Sequence, residues 1–234
     1  MNALILMTRI PIPGKTKTRL MEILTPEECA QLHRCFLIDI FKVIGICKKT
    51  TDVFVTYTPS NLVEIIEDIK PQFVATFPQF GDNLGDRMYN AILRQFNNGY
   101  SKVILIGSDI PEIQPLDIEN AFKILDTNDV CLGPTKDGGY YLIGMKKPHE
   151  EIFKDNLKWG NKSIFESTVS IANSLELTVG LTSKLLDIDD KSDIEAFRKA
   201  VRKDEFNGKM NPKNTIDFIR NRWSSITNDE RDIK

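Results

Sequence analysis

The sequence lacks any apolar run that approaches the roughly 20 residues needed by a helix that spans a bilayer. Its N-terminus also lacks the charged segment and cleavable apolar stretch that mark a secreted protein. Cysteines are few, and Cys29, Cys35, Cys47 and Cys131 form no CxxC pair and no zinc-ligand spacing. Reduced thiols are the simplest interpretation of such cysteines. We therefore expect a soluble cytoplasmic protein without a membrane span.

An excess of charge of one sign is absent as well. Lys and Arg number 31 against 33 Asp and Glu, so the formal net charge is −2. Without a global basic field, nucleic acid is not an expected partner, and any anion site must be local. With 234 residues, 41% hydrophobic and 27% charged, the chain is long and apolar enough to bury a large core. We predict one domain over residues 1–204 and an extension at 205–234 that is partly helical with a frayed tail.

Strand and helix patterns alternate along the chain. Ala3–Met7 and Lys102–Gly107 are short apolar runs typical of buried strands, and the second is typical of a central strand in a parallel sheet. Thr25-Pro26-Glu27-Glu28 carries an N-cap, a proline at the first helical position and a capping-box glutamate. These repeated units predict an α/β fold with a mostly parallel sheet and helices on both faces. Other predicted elements include a helix from Ser60 to Ile69, a strand at Leu185–Ile188 and a helix at Thr215–Trp223.

The segment that follows the first strand is rich in cations. It contains two prolines, one glycine and the side chains Arg9, Lys15, Lys17 and Arg19. An open α/β sheet binds anions at the carboxyl ends of its strands, so phosphate binding here would involve Thr8 and the cations. Gly14 permits close approach of the backbone. The spacing is not that of a P-loop or of a three-glycine dinucleotide motif, and a solvated basic loop is the alternative.

An aspartate lies directly after the predicted central strand, in Gly107-Ser108-Asp109-Ile110-Pro111. It should face the same crevice as the basic loop. A carboxylate beside bound phosphates requires a cation between them, and Mg²⁺ is held by one or two carboxylates together with substrate phosphates. We therefore predict that Asp109 binds a metal ion and that Ser108 contacts the nucleotide. The alternative is that Asp109 only caps the following turn.

Two further acidic segments are candidates. Alternation along a strand at Leu185–Ile188 would place Asp187 and Asp189 on one face, where they could complete a site for a divalent cation. Asp189 or Asp190 could instead cap the next helix. In Thr135-Lys136-Asp137-Gly138-Gly139-Tyr140, Asp137 could contact metal or substrate and Tyr140 could line a pocket. A plain Asp-Gly-Gly hairpin turn is the competing interpretation.

Weaker candidates complete the predicted site. The segment around Gln79, Gly81, Asn83 and Gly85 could read a nucleobase, although its glycines are explained almost as well by loop geometry. Trp159 either lines an acceptor pocket or anchors a surface loop. The two histidines, His33 and His149, have no evident catalytic partner in the sequence, and we interpret both as structural.

Taken together, these motifs resemble a known superfamily. The order Lys-Thr-Arg-Leu, Gly-Ser-Asp-x-Pro, Asp-Gly-Gly-Tyr-Tyr-Leu-Ile-Gly and Asp-Ile-Asp is similar to that of the nucleotide-diphospho-sugar transferases, which have the Rossmann-like GT-A fold. More narrowly, it resembles bacterial glycosyltransferase-like proteins related to phospholactate guanylyltransferase. The resemblance covers about Asn2 to Val201. It implies a mixed sheet of about seven strands with the nucleotide bound over the first half.

The resemblance also implies roles for individual residues. Lys15, Lys17 and Arg19 match the phosphate-binding loop, Asp109 matches the metal-binding aspartate, and Asp187 and Asp189 match a late segment that supplies a second metal contact. The first loop lacks the Ala-Gly-x-Gly pattern of sugar nucleotidylyltransferases, and Ser-Asp-Ile-Pro replaces the Asp-x-Asp of many glycosyltransferases. The donor and the reaction type therefore stay open.

Three functions follow from this sequence. The first is nucleotidyl transfer, in which a phosphorylated acceptor attacks a nucleoside triphosphate with Mg²⁺ or Mn²⁺ and pyrophosphate leaves. The second is glycosyl transfer from a nucleoside-diphosphate sugar, with Asp137 as the candidate base. The third is nucleotide binding without catalysis. The acceptor pocket is predicted at Gly138, Gly139, Tyr140 and Trp159, the acceptor is a small molecule, and a homodimer is an alternative to a monomer.

Overall fold

The computed structural model describes residues 1–154 and 164–229, with side chains as far as Trp223. Its strands are β1 (Asn2–Arg9), β2 (Asp52–Thr58), β3 (Ala75–Pro78), β4 (Lys102–Gly107), β5 (Val130–Pro134), β6 (Tyr140–Met145) and β7 (Val179–Leu181). Its helices are α1 (Pro26–Cys47), α2 (Glu64–Glu67), α3 (Leu84–Asn97), α4 (Pro115–Thr127), α5 (Ile164–Ser174), α6 (Lys191–Arg202) and α7 (Lys213–Asp229). Short helical turns lie at Thr18–Glu22 and Glu150–Phe153.

The strands form one mixed sheet in the order β3-β2-β1-β4-β6-β5-β7. Only β6 runs antiparallel to its neighbours, so the predicted seven-stranded, mostly parallel sheet is confirmed. In the centre, Ile5 of β1 lies in register with Phe54 of β2 and Leu105 of β4. Because β6 is reversed, its first residue lies at the same edge of the sheet as the carboxyl ends of β1 and β4. That edge carries the candidate site.

Helices cover both faces of the sheet, as predicted. Alternate residues of β1 point to opposite faces, as the two-residue period of a strand requires. Leu4 and Leu6 belong to a core cluster with α1 and α4, whereas Ala3 and Ile5 belong to a second cluster with α3 and α5. Within the described part of the chain, no helix is both long and apolar enough to cross a membrane.

A third apolar cluster lies outside the two faces of the sheet and joins distant parts of the chain. It packs the turn after the basic loop, the start of α1, the segment before α6, and α6 and α7 against one another. Its fully buried members include Leu20, Leu32, Phe36, Ile188, Ile194 and Phe197. The apolar side chains that flank the candidate site residues are therefore anchored by the C-terminal helices.

Two predicted elements differ from the structure. The helix expected from Ser60 to Ile69 forms only at α2; it begins after Val63, which makes no side-chain capping hydrogen bond, and Ser60 is not its cap. The strand expected at Leu185–Ile188 is absent, and one isolated bridge, between Thr135 and Leu185, is all that pairs there. The helix predicted at Thr215–Trp223 lies within α7. Residues 230–234 of the expected frayed tail lie outside the described residues.

Candidate active site

A cavity of about 670 Å³ lies at the edge of the sheet where β1 and β4 end and β6 begins. Its walls combine the basic loop, the end of β4, the first turn of α3 and the start of β6. Lining residues include Arg9, Lys17, Gln79, Asp109, Tyr140 and Asp189. This volume and its mixture of apolar walls with a few charged groups are typical of a small-molecule site.

Three aspartates predicted as metal ligands converge beside this cavity. One carboxylate oxygen from each of Asp109, Asp187 and Asp189 lies within 4.8 Å of the others. Asp109 is placed by the sheet, since it follows β4 after Ser108. Asp187 and Asp189 arrive from a segment 78 residues or more later in the chain. The predicted juxtaposition of these side chains is therefore present in the fold.

The segment that carries the late aspartates is held without strand pairing. Its backbone amides donate to the end of β5 and to the loop between β4 and α4. Leu185 N donates to Pro134 O at 3.2 Å, Leu186 N to Glu112 Oε1 at 2.7 Å, and Ile188 N to Asp109 O at 2.9 Å. Leu186 and Ile188 are buried, so the expected alternation exists although the strand does not. Asp190 accepts from Ser192 N and Asp193 N and caps α6.

The ammonium group of Lys17 lies among the carboxylates. Its Nζ is 2.6 Å from Asp109 Oδ1 and 3.0 Å from Asp189 Oδ1, and it donates to Ile188 O at 2.6 Å. Only 3% of the side chain is exposed. Burial on its own would lower the pKa of Lys17, but the charges of Asp109, Asp189 and Asp187 outweigh it and raise the pKa. Lys17 is thus a permanent cation inside the acidic cluster.

The single positive charge of Lys17 does not balance three carboxylates, and the excess negative charge acts most strongly on Asp187. Burial, followed by repulsion from Asp109 and Asp189, raises the pKa of Asp187 to about 8. Its Oδ1 is buried and accepts no hydrogen bond from any described residue. A buried, unpartnered carboxylate oxygen is costly in a folded protein unless a cation or proton satisfies it. The donor set of three aspartates therefore fits a hard divalent cation such as Mg²⁺ or Mn²⁺.

The other cations of the basic loop lie farther out. Arg19 lines the cavity, is 69% exposed and lies 3.8 Å from Asp189 Oδ2. Arg9, at the end of β1, also lines the cavity and is exposed. Lys15 is exposed and is not among the lining residues, and Gly14 beside it adopts a positive φ of 72° with open space around it. The structure therefore brings Arg9, Lys17 and Arg19 to the cavity and leaves Lys15 outside it.

The segment predicted to read a nucleobase forms one wall of the cavity. Gln79 Nε2 donates to Thr8 O at 2.9 Å and to Thr56 O at 3.3 Å, which fixes the amide across the ends of β1 and β2. Asn83 caps α3 by accepting from Asp86 N at 2.8 Å, so part of its role is structural. Gly81 has φ 137°, and a Cβ there would lie 2.6 Å from Asp86 Cβ. Gly85 is buried in α3.

The loop that contains Asp137 closes on itself. Asp137 Oδ1 accepts from the Thr135 hydroxyl and, at 3.2 Å, from Gly139 N, which is the arrangement expected of a turn. Gly138 has φ 96°, a conformation that favours glycine. Tyr140 lines the cavity, whereas Gly138 and Gly139 do not. Trp159, the remaining residue of the predicted acceptor pocket, lies outside the described residues.

Sequence reasoning missed three residues of this region. His33, interpreted as structural, is buried in the cavity wall 4.0 Å from Asp109 Oδ1. Arg87 of α3 lines the cavity and donates through Nε to Gly81 O at 2.9 Å. Glu112 holds the late acidic segment through Leu186 N. Glu112 follows the Ser-Asp-Ile-Pro motif closely enough to have been considered, but nothing in the sequence alone links His33 to Asp109.

The fold agrees with the superfamily that the sequence resembles. A mixed sheet with a basic loop after β1, an aspartate after β4 and a late pair of aspartates is the arrangement expected from the nucleotide-diphospho-sugar transferase superfamily, and the predicted resemblance to that superfamily is confirmed. A family described as uncharacterised proteins conserved in bacteria, DUF2064, matches residues 46–161.

Solved structures support the same class. A proposed nucleotide-diphospho-sugar transferase from Desulfovibrio desulfuricans G20 is 29% identical, with a TM-score of 0.82 over 94% of this chain and 97% of that one. The 4-diphosphocytidyl-2C-methyl-D-erythritol synthase of Anaerococcus prevotii DSM 20548 has a TM-score of 0.56 and 9% identity over 86% and 96% of the chains. A CMP:2-keto-3-deoxy-manno-octonic acid synthetase in complex with CTP has a TM-score of 0.53 and 9% identity over 86% of this chain and 98% of that one. The last two show similarity of fold alone.

Proposed function

We propose that this protein is a metal-dependent, nucleotide-using transferase, and that it transfers a nucleotidyl group from a nucleoside triphosphate to a phosphorylated small molecule. The observation that carries the proposal is the convergence of Asp109, Asp187 and Asp189 beside a cavity bordered by Arg9 and Arg19. Carboxylates next to unburied cations suit a metal–polyphosphate ligand, because Mg²⁺ binds carboxylates and substrate phosphates together.

In this proposal the three aspartates hold Mg²⁺ or Mn²⁺, which neutralises charge on the phosphate oxygens when it is bound. Arg9 and Arg19 bind the polyphosphate from the open side of the cavity. Lys17 holds Asp109 and Asp189 at their spacing, since its donors already reach both carboxylates. A phosphate contact from Lys15 stays a prediction. Phosphoryl chemistry of this kind depends on positioning and electrostatics, so a nucleophilic side chain is not required.

The nucleoside would lie toward β2 and α3. Gln79 uses its amide nitrogen on two backbone carbonyls, which leaves its carbonyl oxygen able to accept a hydrogen bond from an amino group of a base. Arg87 and Asn83 border the same wall. The phosphorylated acceptor would then enter from the side of Tyr140 and Asp137. Two of the fold neighbours named above are cytidylyl-group synthases, which supports nucleotidyl transfer on this scaffold.

Glycosyl transfer is the second candidate, and the 29% identity to a proposed nucleotide-diphospho-sugar transferase favours it. Asp137 would be the base, but its Oδ1 is engaged within its own turn. The set of cations around the cavity suits a triphosphate slightly better than a diphosphate, because more charge must be neutralised. We therefore favour nucleotidyl transfer.

Thermal shift and calorimetric titration with a panel of nucleoside triphosphates and nucleoside-diphosphate sugars test the proposal. Each ligand is added with Mg²⁺, with Mn²⁺ and with EDTA. A ligand that binds the folded state at a hundredfold excess over its dissociation constant stabilises it by about 2.7 kcal/mol. We expect the largest shift with one triphosphate, dependent on metal, and no such shift for Asp109→Asn. Asp126→Asn, an exposed aspartate paired with Lys102, is the matched control.

The outcomes separate the candidates. A metal-dependent shift that is largest with a nucleotide sugar would replace nucleotidyl by glycosyl transfer. Metal-dependent triphosphate binding that yields no pyrophosphate with any phosphorylated acceptor would support a non-catalytic protein. Binding that is unchanged by Asp109→Asn would contradict the metal site itself.

A further inference from the structure

A chain of hydrogen bonds crosses the floor of the cavity, with a buried imidazole at its centre. His33 of α1 is 2% exposed. Its Nδ1 lies 2.6 Å from the Thr16 hydroxyl, and its Nε2 lies 3.1 Å from the Ser108 hydroxyl and 3.3 Å from the Thr8 hydroxyl. Thr16 precedes Lys17, and Ser108 precedes Asp109. The imidazole therefore connects the neighbours of the two residues that form the closest ion pair of the site.

The partners determine which ring nitrogen carries the proton. The Thr8 hydroxyl donates to Arg9 O at 2.8 Å, and the Ser108 hydroxyl donates toward Asp109 Oδ1 at 3.5 Å. Both hydroxyl oxygens are therefore left as acceptors for a proton on Nε2 of His33. Nδ1 then carries a lone pair and accepts from the Thr16 hydroxyl. Every donor in the chain Thr16–His33–Ser108–Asp109 has an acceptor in this arrangement.

The opposite tautomer leaves a donor without an acceptor. With the proton on Nδ1, Thr16 would accept it, and the Thr16 hydroxyl hydrogen would have no acceptor among the described residues. Thr16 is 2% exposed, so a hydroxyl hydrogen left without an acceptor there would destabilise the folded protein. An imidazolium would carry a proton on Nδ1 as well and would leave the same Thr16 hydroxyl hydrogen without an acceptor among the described residues, so the geometry favours the neutral ring.

We propose that His33, neutral and protonated on Nε2, is a positioning residue that ties the basic loop to the end of β4 and so fixes the Lys17–Asp109 pair. The residues tied are the loop's Thr16 and the strand end's Ser108, each one position before a member of that pair. The basic loop and the end of β4 share no backbone pairing. Because α1 packs against both the sheet and the third cluster, the His33 imidazole on it holds these two segments at a fixed distance. Its effect on nucleotide and metal rests on the function proposed above, whereas the tautomer does not.

The tautomer is tested directly. Long-range ¹H–¹⁵N correlation spectra at neutral pH report which imidazole nitrogen is protonated, and the chain contains just two histidines, His33 and His149. His149→Gln removes one set of signals and assigns the other to His33. We expect a single neutral form protonated on Nε2. A ring protonated on Nδ1, or an imidazolium, would overturn the inference whether or not the protein binds nucleotides.

Binding tests the consequence. His33→Leu removes both ring nitrogens, and His33→Gln keeps a donor and an acceptor on a side chain of similar reach. Loss of such a supporting hydrogen bond is expected to weaken metal binding by about 10–100-fold, so we expect that loss of Mn²⁺ affinity for His33→Leu and substantial recovery for His33→Gln. Leu37→Ala, one turn farther along α1 and fully buried, is the control for destabilisation alone.

Calorimetric Mn²⁺ titrations at a temperature well below every variant's melting point distinguish the cases. Unchanged affinity in His33→Leu, or an equal loss in Leu37→Ala, would overturn the positioning role. If the parent protein binds neither Mn²⁺ nor any metal–nucleotide complex, the proposed function fails. The spectra would then still test whether His33 accepts from Thr16 of the basic loop through Nδ1 and donates through Nε2 at the end of β4.

Discussion

The two halves of the candidate site are built by different means. Asp109 follows β4 after one residue, Ser108, and β4 pairs with β1 and β6 along its length, so the sheet fixes the position of Asp109. Lys17, Asp187 and Asp189 lie in segments that pair with no strand. Their positions depend on isolated hydrogen bonds and on apolar neighbours in the third cluster.

The C-terminal helices support this loop-borne half. Leu20, Leu186 and Ile188, which flank the charged site residues, pack with Phe197 of α6 and Ile216 of α7. The start of α7 is in turn clamped to α1, because the buried Asp39 carboxylate accepts from Thr215 N at 2.8 Å and Thr215 Oγ1 at 2.9 Å, and also from Asn214.

The two halves of the site should respond differently to substitutions in the apolar core. A change under the sheet should cost stability and leave the spacing of the aspartates intact. A substitution in the third cluster should displace Lys17, Asp187 and Asp189 even in molecules that remain folded, because no strand pairing holds their segments in place. The two halves can therefore be separated by pairs of substitutions of equal size.

The largest effect is expected from Phe197→Ala. Phe197 is fully buried and packs on the Phe206 ring at 5.4 Å between centroids. Its removal should lower the free energy of unfolding by about 3–5 kcal/mol and also weaken Mn²⁺ binding by the folded protein. Urea unfolding and calorimetric Mn²⁺ titration measure the two effects separately.

Phe122→Ala in α4 is the matched change on the sheet side, since Phe122 is 7% exposed within the first cluster. We expect a comparable loss of stability with Mn²⁺ affinity retained. If Phe197→Ala does not fold, Phe197→Leu gives a smaller cavity for the same comparison. Equal Mn²⁺ affinities for Phe197→Ala and Phe122→Ala would mean that the positions of Lys17, Asp187 and Asp189 do not depend on the C-terminal helices.

A smaller effect concerns pH. In the metal-free protein the pKa of Asp187 is raised to about 8 from an ordinary 3.8, so the folded state retains a proton that the unfolded state has lost. The corresponding stability is fully present below the lower pKa and is lost as pH rises through about 8, with a slope of at most about 1.4 kcal/mol per pH unit. Asp187→Asn should flatten that slope.

Urea unfolding in EDTA at several pH values between 6 and 9 measures this slope. Asp126 is exposed and pairs with Lys102 rather than with a residue of the acidic cluster, so Asp126→Asn should retain the slope of the parent protein. Parallel pH profiles for the parent and Asp187→Asn would show that Asp187 is ionised throughout, and that the third cluster leaves it open to solvent.

The same contrast explains what could be predicted from the sequence. The sheet, its helices and Asp109 follow from local patterns, because an apolar strand and the residue after it reveal their place in an α/β fold. Asp187 and Asp189 were predicted on the pattern of a strand that does not form, and their true support, Glu112 and the third cluster, involves contacts between distant segments. His33 resembles any polar residue on a buried helix until Thr16 and Ser108 are placed beside it.

The smallest effect is expected from Lys15→Ala, and it tests where the loop-borne half ends. Lys15 and Lys17 are two residues apart and look alike in the sequence, yet the Lys17 side chain is 3% exposed within the acidic cluster while Lys15 is exposed outside the cavity. The backbone also differs between them: Lys17 adopts φ 50° at the start of the helical turn Thr18–Glu22, in which Leu20 is buried. We expect Lys15→Ala to change the free energy of unfolding by less than about 0.5 kcal/mol.

The effect of Lys15→Ala on triphosphate affinity should also be small and should decrease with added salt, since exposed charges are screened over about 10 Å at 0.1 M. Calorimetric titration at low and high salt measures this, and a large, salt-insensitive loss would mean that the basic loop closes over the ligand and that the boundary lies beyond Lys15.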